Sequence, residues 1–322
     1  MQISHYSSRN LFPAGIQTAV FLIIMLTLAS CSSLPKGDRQ VVESQNRAAG
    51  YARFGNQYFA EGNLSKALDF FRLALEENQS IDNETGIAKT YYSIGKVHLS
   101  AENLEEAENA FSHTREIAER TGRPQLLMYA YSGSGELAMA RNDPARALEL
   151  FESSLGEARQ LSDDPKWTAI ALHNVGTALS RLGKLDDAET RFQAAAEINT
   201  QENRYRELAS NHYMLASIYS RRTEYQKAEV ELQTAMKNDK IVENSLGIAQ
   251  DLRALGMVQE KSGNLETALD YYQRSLQVYV ARGQRAPTVA LLGVLERVAS
   301  SLGMNDLAAT YNEQLRRLTQ GE

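Results

Sequence analysis

One stretch of the sequence has residue types and spacing that could bind a nucleotide. Residues 133–138 read GSGELA, which fits the G-x-G-x-x-A pattern of dinucleotide-binding loops. The glycines of such a loop let the backbone approach a pyrophosphate, and the loop must follow a strand and open a helix. Here the stretch lies inside a segment with helical periodicity, and no strand is expected before it. We therefore interpret it as a packing motif and expect no cofactor.

Other residues that could catalyse a reaction or bind a metal form no recognised pattern. The five histidines include no H-E-x-x-H motif, and the chain has no G-x-S-x-G elbow and no P-loop. His98 and His212 stand at positions usually held by packed aromatic residues, so we expect core histidines. The acidic residues are expected on solvated helix faces. These patterns predict no catalytic site, no metal site and no small-molecule substrate.

An alanine recurs along the chain at gaps of 40, 40, 41, 40, 40 and 40 residues. The seven positions are Ala67, Ala107, Ala147, Ala188, Ala228, Ala268 and Ala308. A small residue stands twelve positions before each of the first six, and a large apolar residue stands four positions after it. The small residues are Gly55, Gly95, Gly135, Gly176, Ala216 and Gly256. A fixed period of this size indicates stacked supersecondary units, each of which contacts only its neighbours.

Each unit has the pattern of two helices joined by a turn. In the first repeat, Tyr51, Phe54 and Tyr58 share one helical face. Gly62 then interrupts the pattern, and a second apolar face begins near Ala67. A glycine at the turn suits the left-handed residue that often ends a helix. We expect the small residue inside the first helix to permit close packing, because a mid-helix glycine otherwise costs about 1 kcal/mol.

These positions resemble the tetratricopeptide repeat, in which an aromatic residue, Leu-Gly, Tyr, Ala, Phe and Ala recur at set offsets. The first repeat matches with Tyr51, Phe54, Gly55, Tyr58, Ala67, Phe71 and Ala74, and the fourth with Leu172, Val175, Gly176, Leu179, Ala188, Phe192 and Ala195. The resemblance implies an all-α fold, a right-handed superhelical solenoid of about seven helical hairpins. The predicted repeats lie near residues 48–87, 88–127, 128–168, 169–208, 209–248, 249–288 and 289–322. The period of 40 exceeds the usual 34 residues, which fits longer helices.

The first helix of each repeat has a face opposite its packing side, and in this family that face lines the concave surface. The candidate partner-binding residues on it are Lys89, Tyr92, Lys96, Tyr129, His173, Arg181, Tyr213, Arg221, Arg253, Lys261 and Arg297. Seven are basic and only Glu136 and Glu260 on this face are acidic, although the chain carries a net charge of −6. This pattern predicts a groove for a segment with acidic groups, and the alternative is an ordinary solvated helix face. The negative net charge argues against a general nucleic-acid binder.

The amino-terminal segment predicts export. Residues 1–30 contain Arg9 but no acidic residue. An apolar run over residues 19–28 is too short to span a bilayer and is typical of the core of a secretory signal. Residues 1–30 are therefore predicted to be a signal peptide.

A lipid anchor is predicted directly after that signal. Residues 28–31 read Leu-Ala-Ser-Cys, which resembles the lipobox of bacterial lipoproteins. The resemblance implies cleavage before Cys31, lipidation and acylation of that residue, and a tether over residues 31–39 that leads into a solenoid over residues 40–322. Ser32, in place of aspartate, implies sorting to the outer membrane, with the protein facing the periplasm.

Together these features predict a non-catalytic, membrane-anchored scaffold of the bacterial cell envelope that binds a partner protein or peptide in its groove. Two alternatives stay open. The first is a regulatory peptide-binding receptor, which the long period allows and the lipobox disfavours. The second is an accessory subunit of a pilus, polysaccharide-export or cell-wall enzyme complex.

Overall fold

The computed structural model describes residues 36–161 and 164–320. These residues form fourteen α-helices and no strand, which confirms the predicted all-α class of helical repeats. The chain divides into two compact units, one ending at Gly86 and the other beginning at Ile87. The predicted signal peptide and lipidated Cys31 lie outside the described residues. No helix in the described ranges is long and apolar enough to cross a bilayer.

The helices follow one another as seven hairpins, numbered 1 to 7, each made of an odd-numbered first helix and an even-numbered second helix. The helices are α1 (Lys36–Ala60), α2 (Leu64–Gln79), α3 (Glu84–Ser100), α4 (Leu104–Thr121), α5 (Pro124–Ala140), α6 (Pro144–Gln160), α7 (Lys166–Arg181), α8 (Leu185–Gln201), α9 (Tyr205–Arg221), α10 (Tyr225–Ile241), α11 (Ser245–Lys261), α12 (Leu265–Ala281), α13 (Arg285–Ser301) and α14 (Asn305–Gln320). Residues 36–39, which the sequence assigned to the tether, therefore form the first turn of α1.

Every hairpin closes through a three-residue turn whose middle residue has a positive φ. These residues are Gly62, Glu102, Asn142, Gly183, Thr223, Gly263 and Gly303. The N–H of the next residue donates to the carbonyl five positions earlier, as from Asn103 to His98 at 2.9 Å. This bond is the Schellman pattern that satisfies the last carbonyls of a helix. The predicted left-handed turn is confirmed, and in three hairpins a residue other than glycine adopts it.

The recurring alanines lie at the centre of the hairpins. The first six have no exposed surface, and the large apolar residues four positions later are at most 2% exposed. Each aromatic ring among them lies against the glycine of the first helix. A Cβ placed on Gly95 would lie 2.4 Å from the ring of Phe111, and one on Gly135 would lie 2.4 Å from the ring of Phe151. The two helices of a hairpin thus pack too closely to admit a methyl group, as the spacing predicted.

The GSGELA stretch is explained by the same packing. Helix α5 runs through it without interruption, and no strand precedes it in the described part of the chain. Gly135 accommodates Phe151 of its own hairpin, whereas a Cβ on Gly133 would lie 2.4 Å from Phe111 of the preceding hairpin. The ring of Phe111 therefore lies between Gly95 and Gly133. The two glycines of the stretch therefore make room for two different aromatic rings.

Neighbouring hairpins of the second unit pack mainly through the second helix of one hairpin and the first helix of the next, as α6 packs on α7, and consecutive first helices also touch. Helix α5 contacts α7, α7 contacts α9, and α9 contacts α11. Among the described residues of hairpins 3 to 6, the second helices make no such contact with one another. The first helices are therefore the more closely spaced row, and they form the inner side of this stack.

Candidate partner-binding face

The predicted groove residues lie on the first helices, and two of their seven cations are neutralised by the two acidic residues of the same face. The Lys96 ammonium lies 3.8 Å from Glu136 Oε1. The Arg297 guanidinium donates two hydrogen bonds to the carboxylate of Glu260, at 2.5 and 3.2 Å. These contacts hold the pKa of Glu260 below its ordinary value. Lys96 and Arg297 thus contribute little net positive charge to the face.

Four other cations of the face, Arg181, Arg221, Arg253 and Lys261, are exposed and have no carboxylate within ion-pair distance in the described ranges. Arg221 Nη1 donates to the carbonyl oxygen of Ser180 at 2.7 Å, and Lys261 Nζ donates to a serine hydroxyl at 3.3 Å. The uncompensated positive charge of the face is therefore concentrated on α7, α9 and α11.

Two clefts flank α11 on this same face. One, of about 110 Å³, lies between α9 and α11 and is lined in part by Tyr213 and Arg221. The other, of about 420 Å³, lies between α11 and α13 and is lined in part by Arg253. Both clefts include Met257 and Lys261, and Met257 is 44% exposed. The two clefts therefore adjoin each other, with an apolar side chain and a cation at their common border.

Two of the three predicted tyrosines are occupied in packing. The rings of Tyr92 and Tyr129 lie 4.9 Å apart, and Trp167 meets Tyr129 edge-on at 5.4 Å. The Tyr92 hydroxyl donates to Glu136 Oε1 at 3.1 Å. Burial raises the pKa of both tyrosines above its ordinary value. Tyr213 lines the cleft between α9 and α11. The contribution of Trp167 to the cluster of Tyr92 and Tyr129 was missed from the sequence.

Lys89 is partly enclosed. Burial, together with the neighbouring charge of Lys166, lowers the pKa of its ammonium below the ordinary value. Lys166 also pairs with the carboxylate of Asp164, so the positive charge at this end of the face is partly compensated.

The histidines differ from their predicted roles. His173 was assigned to the groove, but its ring packs edge-on against Phe192 at 5.3 Å, and burial lowers its pKa to about 4. It is therefore neutral at pH 7, and it lies 3.0 Å from the amide nitrogen of Asn211 and lines a small cleft between α7 and α9. His98 and His212, expected in the core, are only partly buried, and His212 Nδ1 lies 2.6 Å from Glu231 Oε2.

Two carboxylates contradict the expectation that all acidic residues are solvated. Asp239 is 4% exposed and Asp251 is 2% exposed. Burial and, to a smaller extent, the nearby charge of Asp239 raise the pKa of Asp251 to about 8. Asp251 Oδ2 accepts no hydrogen bond from the described residues. The repeat register could have located this pair, because Asn199 and Asn211 occupy the same positions one repeat earlier.

The model of the tetratricopeptide repeat matches residues 46–120, 126–201 and 206–281, more than half of the chain. The chain belongs to the tetratricopeptide repeat family. The matched segments end in the second helix of hairpins 2, 4 and 6, and each therefore covers a pair of hairpins.

Several solved structures share the fold of this tetratricopeptide repeat protein. A Rap protein complexed with competence and sporulation factor is 20% identical, with a TM-score of 0.64 over 85% of this chain and 75% of that one. The apo form of the quorum sensor NprR from B. thuringiensis is 15% identical, with a TM-score of 0.61 over 86% of this chain and 78% of that one. Apo RapI has a TM-score of 0.59 at 15% identity, over 85% of this chain and 99% of that one. At these identities the likeness establishes the fold, and no curated protein sequence matches the chain.

Proposed function

We propose that this tetratricopeptide repeat protein is a non-catalytic scaffold of the bacterial cell envelope that binds a protein or peptide on its first-helix face. The observation that carries the proposal is the group of four exposed, unpaired cations on α7, α9 and α11, beside two clefts. A chain with a net charge of −6 that gathers free cations on one face has local complementarity to an acidic partner segment.

A second candidate is a regulatory peptide-binding receptor. It is favoured by the likeness to a Rap protein complexed with competence and sporulation factor and to the quorum sensor NprR, both over most of this chain. It requires the same face, so the two candidates differ in cellular location and in whether the bound segment belongs to a larger protein. The lipobox-like residues 28–31 favour the envelope scaffold. A scaffold that serves as an accessory subunit of an envelope complex uses the face in the same way.

The anchoring part of the proposal predicts a specific loss. The Cys31→Ser variant is expected to incorporate no labelled palmitate and to move from the membrane fraction to the soluble fraction, because the thiol is the attachment point. The Ser32→Asp variant is the matched control. It should retain the label and move from outer to inner membranes. Undiminished labelling of Cys31→Ser would contradict lipid anchoring.

The binding part predicts which face contacts the partner. A photoreactive amino acid at Ser217, in the cleft between α9 and α11, should form discrete protein adducts in living cells. The same amino acid at Ser153, exposed on α6, should form none. Reversing Arg181, Arg221 and Arg253 to glutamate should abolish the adducts at position 217, because each reversal replaces attraction by repulsion.

Two measurements show whether a loss of adducts reflects lost binding or lost folding. Circular dichroism and melting of the triple variant should match the wild type, since the three side chains are exposed. Equal adduct formation from both faces, or adducts that persist in a folded triple variant, would count against the proposed function.

A further inference from the structure

We infer that the face binds an extended acidic segment whose carboxylates are three residues apart. This inference rests on the proposed function and specifies the chemistry of the ligand. It is carried by a row of three cations, here called the basic ladder and defined as Arg181, Arg221 and Lys261.

The basic ladder follows the repeat. Each member stands seven residues before the recurring alanine of its own hairpin and ends its first helix, at α7, α9 and α11 in turn. Two members reach back across the hairpin boundary. Arg221 donates to the carbonyl and hydroxyl oxygens of Ser180, and Lys261 donates to the hydroxyl of Ser220. These serines immediately precede the previous cation, so the three charges form one continuous row across neighbouring helices.

The spacing of the row selects the conformation of the ligand. Helices α7, α9 and α11 are in direct contact, and packed helices lie roughly 8–10 Å apart, so the cations repeat at about 10 Å. An extended chain of the polyproline II type advances about 3.1 Å per residue with three residues per turn, so every third side chain lies on the same side and meets the next cation. A helical ligand would need about seven residues for the same step and a channel about 10 Å wide. Seven residues of an extended chain therefore contact all three cations, whereas a helix would need about fourteen.

The donors that remain free suit carboxylates. Only Nη1 of Arg221 makes a hydrogen bond within the described chain, which leaves the fork of Nη2 and Nε for a charge-assisted bidentate contact. Arg181 is exposed and makes no ion pair among the described residues. On the same side of α11, Arg253 lies two turns before Lys261 and adds a further positive charge.

The floor of the two clefts, between these cations, is apolar. This favours a peptide over a polyanion that has only charged groups. Met257 contributes to both clefts, Ala254 contributes to the first and Val294 to the second. An extended segment with glutamates at every third position can direct its intervening apolar side chains onto this floor. A phosphate polymer or an acidic glycan has no apolar side chains to cover this floor.

Defined peptides test the inference directly. One fluorescein-labelled peptide carries three glutamates at every third position among alanine, serine and leucine, and a second carries the same residues with the glutamates adjacent. We expect the full-length protein to bind the spaced peptide about tenfold more tightly by fluorescence anisotropy, since only that peptide engages all three cations. Binding should weaken as salt is raised, because the contacts are exposed.

Two charge-matched triple variants complete the experiment. Changing Arg181, Arg221 and Lys261 to glutamine should remove the preference for the spaced peptide. Changing Arg146, Arg274 and Arg317 to glutamine removes the same charge from second helices, where each cation pairs with a carboxylate of its own helix, and should leave binding unchanged. Equal affinity for both peptides, no binding of either, or equal loss in both variants would overturn the basic ladder. None of these results would alter the crosslinking pattern that tests the proposed function.

Discussion

Replacing Gly133 with valine is expected to lower the free energy of unfolding by about 3 kcal/mol or more. An added Cβ would lie 2.4 Å from the ring of Phe111, and that ring has no room to retreat. Its other side lies against Gly95, where a Cβ would also fall 2.4 Å away. The ring is 2% exposed, so it cannot escape into solvent. The variant must therefore separate hairpins 2 and 3 or distort α5.

Guanidinium denaturation followed by circular dichroism would measure this loss. Gly156→Ala is a matched control in the next helix, because its Cβ meets nothing within 4 Å and alanine favours a helix by about 1 kcal/mol. That variant should be more stable than the wild type. Shrinking the ring in the double variant Gly133→Val with Phe111→Leu should recover part of the loss. Unchanged stability of Gly133→Val would show that the contact between the hairpins is not close packed.

The parts of the fold that were predictable depend on contacts inside one hairpin. Close packing joins Ala107, Gly95 and Phe111, which lie close together in the sequence. Most of the other repeats have similar residue types at the same offsets and pack in the same way. The turns were predictable for the same reason, since a single residue with positive φ closes each one. The residue pattern of a single repeat is a weak signal, but the same pattern in several repeats makes the prediction strong.

The binding face was predicted less well because neighbouring first helices contact each other. A helical wheel assigned Tyr129 and His173 to a free face, but it treats each helix alone. In the stack that face is partly covered, so Tyr129 packs on Tyr92 and His173 packs on Phe192. The wheel also could not show which cations are neutralised. The contact between Lys96 and Glu136 depends on side-chain conformations across one full repeat.

The least expected feature of the core is the pair of buried carboxylates where α10 meets α11. Asp239 accepts a hydrogen bond from Asn244 at 2.9 Å, and Arg206 lies near enough to influence its pKa. One repeat earlier the equivalent side chains are amides, and Asn199 Nδ2 donates to Asn211 Oδ1 at 2.8 Å. Two amides can hydrogen-bond to each other, whereas two nearby carboxylates repel each other when both are ionised. The junction between hairpins 5 and 6 is therefore predicted to respond to pH.

The Asp251→Asn variant is expected to be more stable than the wild type at pH 8.5 and to lose most of the dependence of stability on pH. The pKa of Asp251 is raised to about 8 in the folded protein, against about 3.9 in an unfolded chain. Between these values the folded state binds more protons than the unfolded state, so the free energy of unfolding falls as pH rises. We expect the variant to gain about 2 kcal/mol or more over the wild type between pH 5 and pH 8.5, because the amide stays neutral at every pH and is not repelled by Asp239.

Denaturation curves at both pH values would measure this gain. Asp270→Asn is the control, because that carboxylate is exposed and pairs with Arg274 on its own helix. Parallel pH dependence of the wild type and Asp251→Asn would show that protonation of Asp251 does not stabilise the folded protein. A gain confined to high pH would instead show that charge repulsion limits the stability of this junction, since a packing change would act equally at every pH.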